Sequence, residues 1–135
     1  MARDTFDDLQ MSYGRCLRNG RFIERFYEIF MASHPQVPAL FANTDMGRQS
    51  LALRRGISAA ISHAGGSMLA QRTMNEMAKV HSRSGRAPVP VALYPYWLES
   101  LLKAVAEHDP QCNDALLQRW RVAMERTIAY FVEHH

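Results

Sequence analysis

Six histidines are the side chains in this sequence that titrate nearest neutral pH. Five stand where a solvated or capping role accounts for them. His34 precedes a proline at a helix exit, and His108 stands beside Asp109 at another. His134 and His135 end the chain, and His63 comes just before Gly65-Gly66. His81 differs, because it falls in register with Met74, Met77 and Ala78 on an apolar helical face. An imidazole there is either a satisfied core histidine or a ligand for a metal or a haem iron. Two more polar residues sit on apolar stripes. Gln49 shares a face with Met46 and Leu53. A buried amide without partners costs roughly 1–3 kcal/mol, so Gln49 either finds one or reaches water at the boundary. Tyr27 lies on the Phe22, Phe26 and Phe30 side, which turns its hydroxyl inward or to the rim.

Other chemistries lack their residues. There is no Gly-x-Ser-x-Gly elbow, phosphate-cradling loop, His-Glu-x-x-His helix or Cys-x-x-Cys. Cys16 and Cys112 are too few for a disulfide scaffold and lack metal-site spacing. The eight methionines read first as fillers of core gaps.

The elements that must position these side chains are helical. Phe6, Leu9, Tyr13, Cys16 and Leu17 form a first stripe, broken at Asn19-Gly20. Phe22, Ile23, Phe26, Tyr27 and Phe30 form a second, ended by His34-Pro35, and Pro35 opens a short turn of helix through Leu40. Asn43-Thr44-Asp45 offers N-cap residues for a helix carrying Met46, Gln49, Leu53, Ile57, Ala60 and Ile61, stopped at Ala64-Gly65-Gly66. Leu69 to His81 follows, then a loop from Ser82 to Pro90, then an apolar helix from Val91 to Val105. Asp109 as cap and Pro110 as first residue open the last helix. No strand alternation or repeat appears. The expectation is one all-α domain over residues 1–135, with five long helices and a short one.

Composition agrees. At 135 residues, 47% hydrophobic and 21% charged, the chain is an ordinary globular domain. No window is apolar enough for a membrane span, and the acidic start lacks a secretion-signal core, so a cytoplasmic protein is expected. The net charge of +3 is scattered rather than blocked, so neither a nucleic-acid nor a membrane partner is expected.

The ordered set of motifs resembles a globin, specifically a bacterial single-domain globin. Phe26-Tyr27-x-x-Phe30 and His34-Pro35-x-Val37-x-x-Leu40-Phe41 are similar to the family's second helix, its corner proline and the phenylalanine beyond it. Tyr27 precedes Phe41 by fourteen residues, the family's spacing for the distal position. Thr44-Asp45-Met46 resembles the opening of the distal helix, which puts Gln49 at the distal ligand position and Leu53 at the next position facing the iron. His81 follows Gln49 by 32 residues, within the range for the proximal histidine. Leu93-Tyr94-Pro95-x-x-Leu98 and Leu116-Leu117-x-x-Trp120 resemble the starts of the last two helices. The loop between His81 and Tyr94 is longer than in flavohaemoglobin-like members, and the segment before Gln49 is short, as in truncated ones. A full first helix points to the three-over-three sandwich.

The resemblance implies a haem held by His81, with Tyr27, Gln49 and Leu53 on the opposite face. Phe30, Phe41, Met77, Val91, Tyr94, Leu98 and Met124 are the expected pocket walls, and Arg86 is a candidate partner for a propionate. It implies reversible binding of dioxygen, with carbon monoxide and nitric oxide as further ligands, in a monomer or homodimer. Two alternatives stay open: a nitric oxide dioxygenase, which needs a separate reductase, and a gas sensor acting through a partner.

Overall fold

The computed structural model describes residues 4–18, 20–82, 85 and 88–135. The described residues are all-α, as expected. Six helices have eleven residues or more: α1 (Asp7–Leu17), α2 (Phe22–Ser33), α4 (Met46–Ala64), α5 (Met68–His81), α6 (Tyr94–His108) and α7 (Asp114–Glu133). One short helix, α3 (Val37–Leu40), and a 3-10 turn (Val91–Leu93) complete the set. The expected count of five long helices is therefore one too few. α2 packs chiefly on α6, α4 on α5 and α7, and α6 on α7, while α1 lies against α6 and α4. Phe26, Leu9, Ile57, Ile61, Leu101, Trp120 and Met124 meet in the core between these layers.

Local chemistry sets most of the boundaries. Asp45 caps α4, its side chain accepting from the backbone N–H of Gly47 at 3.0 Å and of Arg48 at 3.3 Å. Pro95 stands in the first turn of α6, where no N–H is needed. α3 starts later than expected. Pro35 lies in a turn closed by the Val37 N–H on the His34 carbonyl, and Pro38 is the proline in the first turn of the helix.

The largest correction is at the start of α7. Asp109 does not cap it, and Pro110 is not in it. The cap is Asn113, whose side chain accepts from the Leu116 N–H at 2.8 Å. Asp109 turns into the interior instead, only 3% exposed. Its carboxylate accepts from Ser12 Oγ at 2.6 Å, Arg15 Nε at 2.7 Å and the Gln111 N–H at 2.9 Å. Ser12 Oγ accepts in turn from Trp120 Nε1 at 3.0 Å. Burial works against the charged carboxylate, but these donors outweigh it and hold the pKa at about 2.

The N-terminal segment is clasped against α4 and α7. Phe6 adopts the left-handed region at φ 57°, an unusual conformation for a bulky side chain. Its ring is buried, with the Arg119 and Arg126 guanidinium groups 4.9 and 5.1 Å from its centroid. Asp4 and Asp8 bind Arg119. The Thr5 backbone passes so close to Gly65 that a Cβ there would lie 2.5 Å from the Thr5 carbonyl oxygen.

Candidate functional site

His81 shares one feature with His108 and His134, an Nδ1 bonded to the carbonyl four residues back, and differs in its apolar surroundings. It ends α5, half-buried, with its ring 5.7 Å from that of Phe131 on α7. Its Nδ1 lies 2.9 Å from the Met77 carbonyl oxygen, one helical turn back. A carbonyl only accepts, so Nδ1 carries the proton and Nε2 holds the lone pair. Burial pushes the imidazole below its ordinary pKa, and the Met77 carbonyl offsets this only in part. A neutral imidazole with one nitrogen tethered and the other a free base is the form that ligates a metal. No group of three or more His, Cys, Asp or Glu side chains suited to a metal ion occurs among the described residues. A haem iron needs only an axial ligand from the protein, so the donor set fits that group.

Tyr27 is buried on α2, its ring 5.7 Å from Phe41. Phe41 also meets Phe30 at 6.2 Å. The Tyr27 hydroxyl donates to the backbone carbonyl of Gln49 at 3.5 Å, the long limit of a hydrogen bond. The Gln49 side chain is half-exposed at the boundary rather than buried. Leu53, one turn further along α4, is partly buried against the core. Burial pushes the Tyr27 phenol up to about 12, so it remains a proton donor across the physiological range.

Tyr94 opens α6 with its ring 6.1 Å from Phe131, so both Tyr94 and His81 flank that residue. Its hydroxyl is buried with no hydrogen-bond partner among the described residues. A phenol is rarely left this way in a native interior, and the Thr127 Oγ1 is likewise buried without a partner among the described residues.

The other expected walls are dispersed. Met77 is half-buried, its methyl 2.9 Å from where a Cβ on Gly56 would stand, so the glycine admits it between α4 and α5. Leu98 and Met124 are core residues. Val91 is 40% exposed on the 3-10 turn. Arg86 lies outside the described residues. Sequence reasoning passed over Phe131 as a site residue, although its spacing from Met124 and Thr127 on α7 puts it on the same face. His63 is not simply solvated either: its Nδ1 is buried with no hydrogen-bond partner among the described residues, and its ring lies 5.3 Å from Tyr130.

No family sequence model matches the chain, and no curated protein matches it with significance. A solved structure does. The fold superimposes with a TM-score of 0.90 on the crystal structure of protein PA3967 from Pseudomonas aeruginosa PAO1, described as structurally highly homologous to a human haemoglobin. The two sequences are 37% identical over 97% of this chain and 98% of that one. The helix order, His81 at the end of α5 and this near full-length similarity converge: the chain belongs to the globins, among the haemoglobin-like proteins of bacteria.

Proposed function

We propose that this chain is a haem protein that reversibly binds dioxygen, with His81 as the residue that would hold the iron. The observation that carries the reading is the half-buried place of the His81 ring against Phe131, with Nδ1 bonded to the Met77 carbonyl so that Nε2 keeps the lone pair. A bound haem supplies an iron that takes up diatomic gases. The chain's own residues do the rest. Phe41 and Met77 supply apolar contact, and Phe131 limits rotation of the His81 ring. Tyr94 offers its unpartnered phenol to a polar edge of the group.

With haem bound, Tyr27 and Gln49 would be the hydrogen-bond donors for a polarised ligand, Tyr27 by leaving its long bond to the Gln49 carbonyl, and Leu53 would help keep water away. The low dielectric of the pocket strengthens such bonds, so each contributes on the order of 1–2 kcal/mol. Dioxygen gains more from them than the less polar carbon monoxide.

No helix among the described residues is long and apolar enough to cross a membrane, which supports a cytoplasmic setting. We infer no nucleic-acid partner and a monomer or homodimer. Turnover as a nitric oxide dioxygenase would require a separate reductase.

The test is an absorption spectrum of the ferric protein, then of the ferrous protein with and without carbon monoxide. The expected result is a Soret band that shifts with carbon monoxide and collapses in His81→Ala. A reconstituted protein without a Soret band, or one unaffected by His81→Ala, overturns the assignment.

A further inference from the structure

Cys16 and Cys112 are the two thiols of the chain, 96 residues apart, and the site described above uses neither. The fold brings them to one place. Cys16 stands on α1 one helical turn beyond Ser12 and next to Arg15, and both of those residues bind the Asp109 carboxylate. Cys112 stands in the connection between α6 and α7, in a turn closed by its own N–H on the Asp109 carbonyl at 3.0 Å. One aspartate thus ties the two segments together, its carboxylate holding α1 and its carbonyl holding Cys112.

The two thiols differ in access. Cys16 is fully buried in the core, whereas Cys112 is half-buried and packs against that core. The Cys112 thiol donates to the Asn113 carbonyl at 3.8 Å, a weak bond that is easily given up. The thiols interact electrostatically with each other, and the Arg15 guanidinium with both. A buried thiol behind a reachable one is the arrangement of a resolving cysteine behind an attacking one.

We propose that Cys16 and Cys112 are a modification site, joined as a disulfide by exchange with a low-molecular-weight disulfide of the glutathione type. The Cys112 thiolate attacks one sulfur of the small disulfide and expels the other as a thiolate, leaving a mixed disulfide. The Cys16 thiolate then attacks the Cys112 sulfur and expels the second small thiolate. The two protein thiols are oxidised to one disulfide, their protons pass to the departing thiolates, and the small disulfide is reduced to two thiols. Burial pushes the Cys16 thiol up to about 12 and raises Cys112 as well, with Asp109 adding to both and Arg15 opposing. Exchange is therefore slow near neutrality and quickens as pH rises, because the thiolate is the attacking form. The bond would close a long loop, the kind whose closure restricts the unfolded chain most. In a reducing compartment it would be transient rather than permanent.

The test uses the full chain as purified, with or without haem. It is incubated with oxidised glutathione at about pH 8.5, then acid-quenched, alkylated and digested without reductant. The expected product is a monomer in which the Cys16 and Cys112 peptides are joined, two hydrogens lighter than the reduced chain. Its thermal midpoint is expected to rise by about 5–10 °C and to return when dithiothreitol is added. Cys112→Ser, at a half-buried position, should give neither the bond nor the rise. Cys16→Ala should stop at the glutathione adduct on Cys112. The same arrested adduct in the unaltered chain overturns the proposal. So do unreacted thiols in the folded chain, and dimers joined through Cys112. A joined monomer whose midpoint does not rise marks a forced bond and overturns it as well. These readouts do not use a Soret band, so the thiol pair and the haem reading stand or fall separately.

Discussion

Asp109 and Tyr94 are both buried polar residues, and they are served in opposite ways. Several donors serve Asp109: Ser12, Arg15 and the Gln111 N–H converge on it, and Trp120 extends the chain through Ser12. Tyr94 has no partner for its hydroxyl, and Tyr27 across the molecule has only a long one. The first cluster joins α1 to the α6–α7 connection and is complete within the protein. Tyr94 shares Phe131 with His81, the two rings lying 6.1 and 5.7 Å from it. A closed network belongs to the scaffold, whereas the proposed function assigns the unspent donors to a bound group.

Removing the centre of the closed network should have the largest effect. Asp109→Ala leaves Arg15 and Ser12 facing an empty place, and breaking a buried pair of this kind costs about 3–5 kcal/mol. Urea unfolding of the haem-free protein measures it, and a loss below about 1 kcal/mol would show that the network is dispensable. Acid probes the same residue. Its folded pKa of about 2 lies below the ordinary aspartate value, so its contribution is full above pH 4 and vanishes as pH falls toward 2. That amounts to about 2 kcal/mol, and Asp109→Asn should flatten the slope.

On the open side the expected effects are smaller and appear in ligand kinetics. Tyr27→Phe and Gln49→Leu should each speed dioxygen release about tenfold, with little change for carbon monoxide. Unchanged off-rates in both would remove the proposed distal donors. The smallest effect has the opposite sign. Tyr94→Phe deletes an unpartnered hydroxyl and should stabilise the haem-free chain by up to about 1 kcal/mol, while weakening its hold on haem. A haem-free Tyr94→Phe protein that melts lower would place a partner on the phenol after all.

The helices were legible because their stripes are long and their stops are chemical. Asp45 acts locally, so a few residues of sequence reveal it, whereas α6 starts at Tyr94, with Pro95 in its first turn, and not at the expected Val91. His81 was legible as the histidine on an apolar face. Asp109 was misread because Asp-Pro looks the same whether the carboxylate caps a helix or meets an arginine 94 residues away. Gly65 read as a helix stop, and its close approach to Thr5 depends on how the chain returns. Phe131 and the Tyr94 hydroxyl become site features only when α5, α6 and α7 meet.

The Asp109 network also bears on time. Its bonds to Ser12 and Arg15 span 97 and 94 residues, so most of the chain must be gathered before they form. Contacts that distant carry a large loop-closure cost and tend to arise after the folding barrier. Weakening them should then quicken unfolding and barely slow refolding, a pattern visible in the two arms of a chevron plot. In that sense Asp109 is a latch on the lifetime of the folded state.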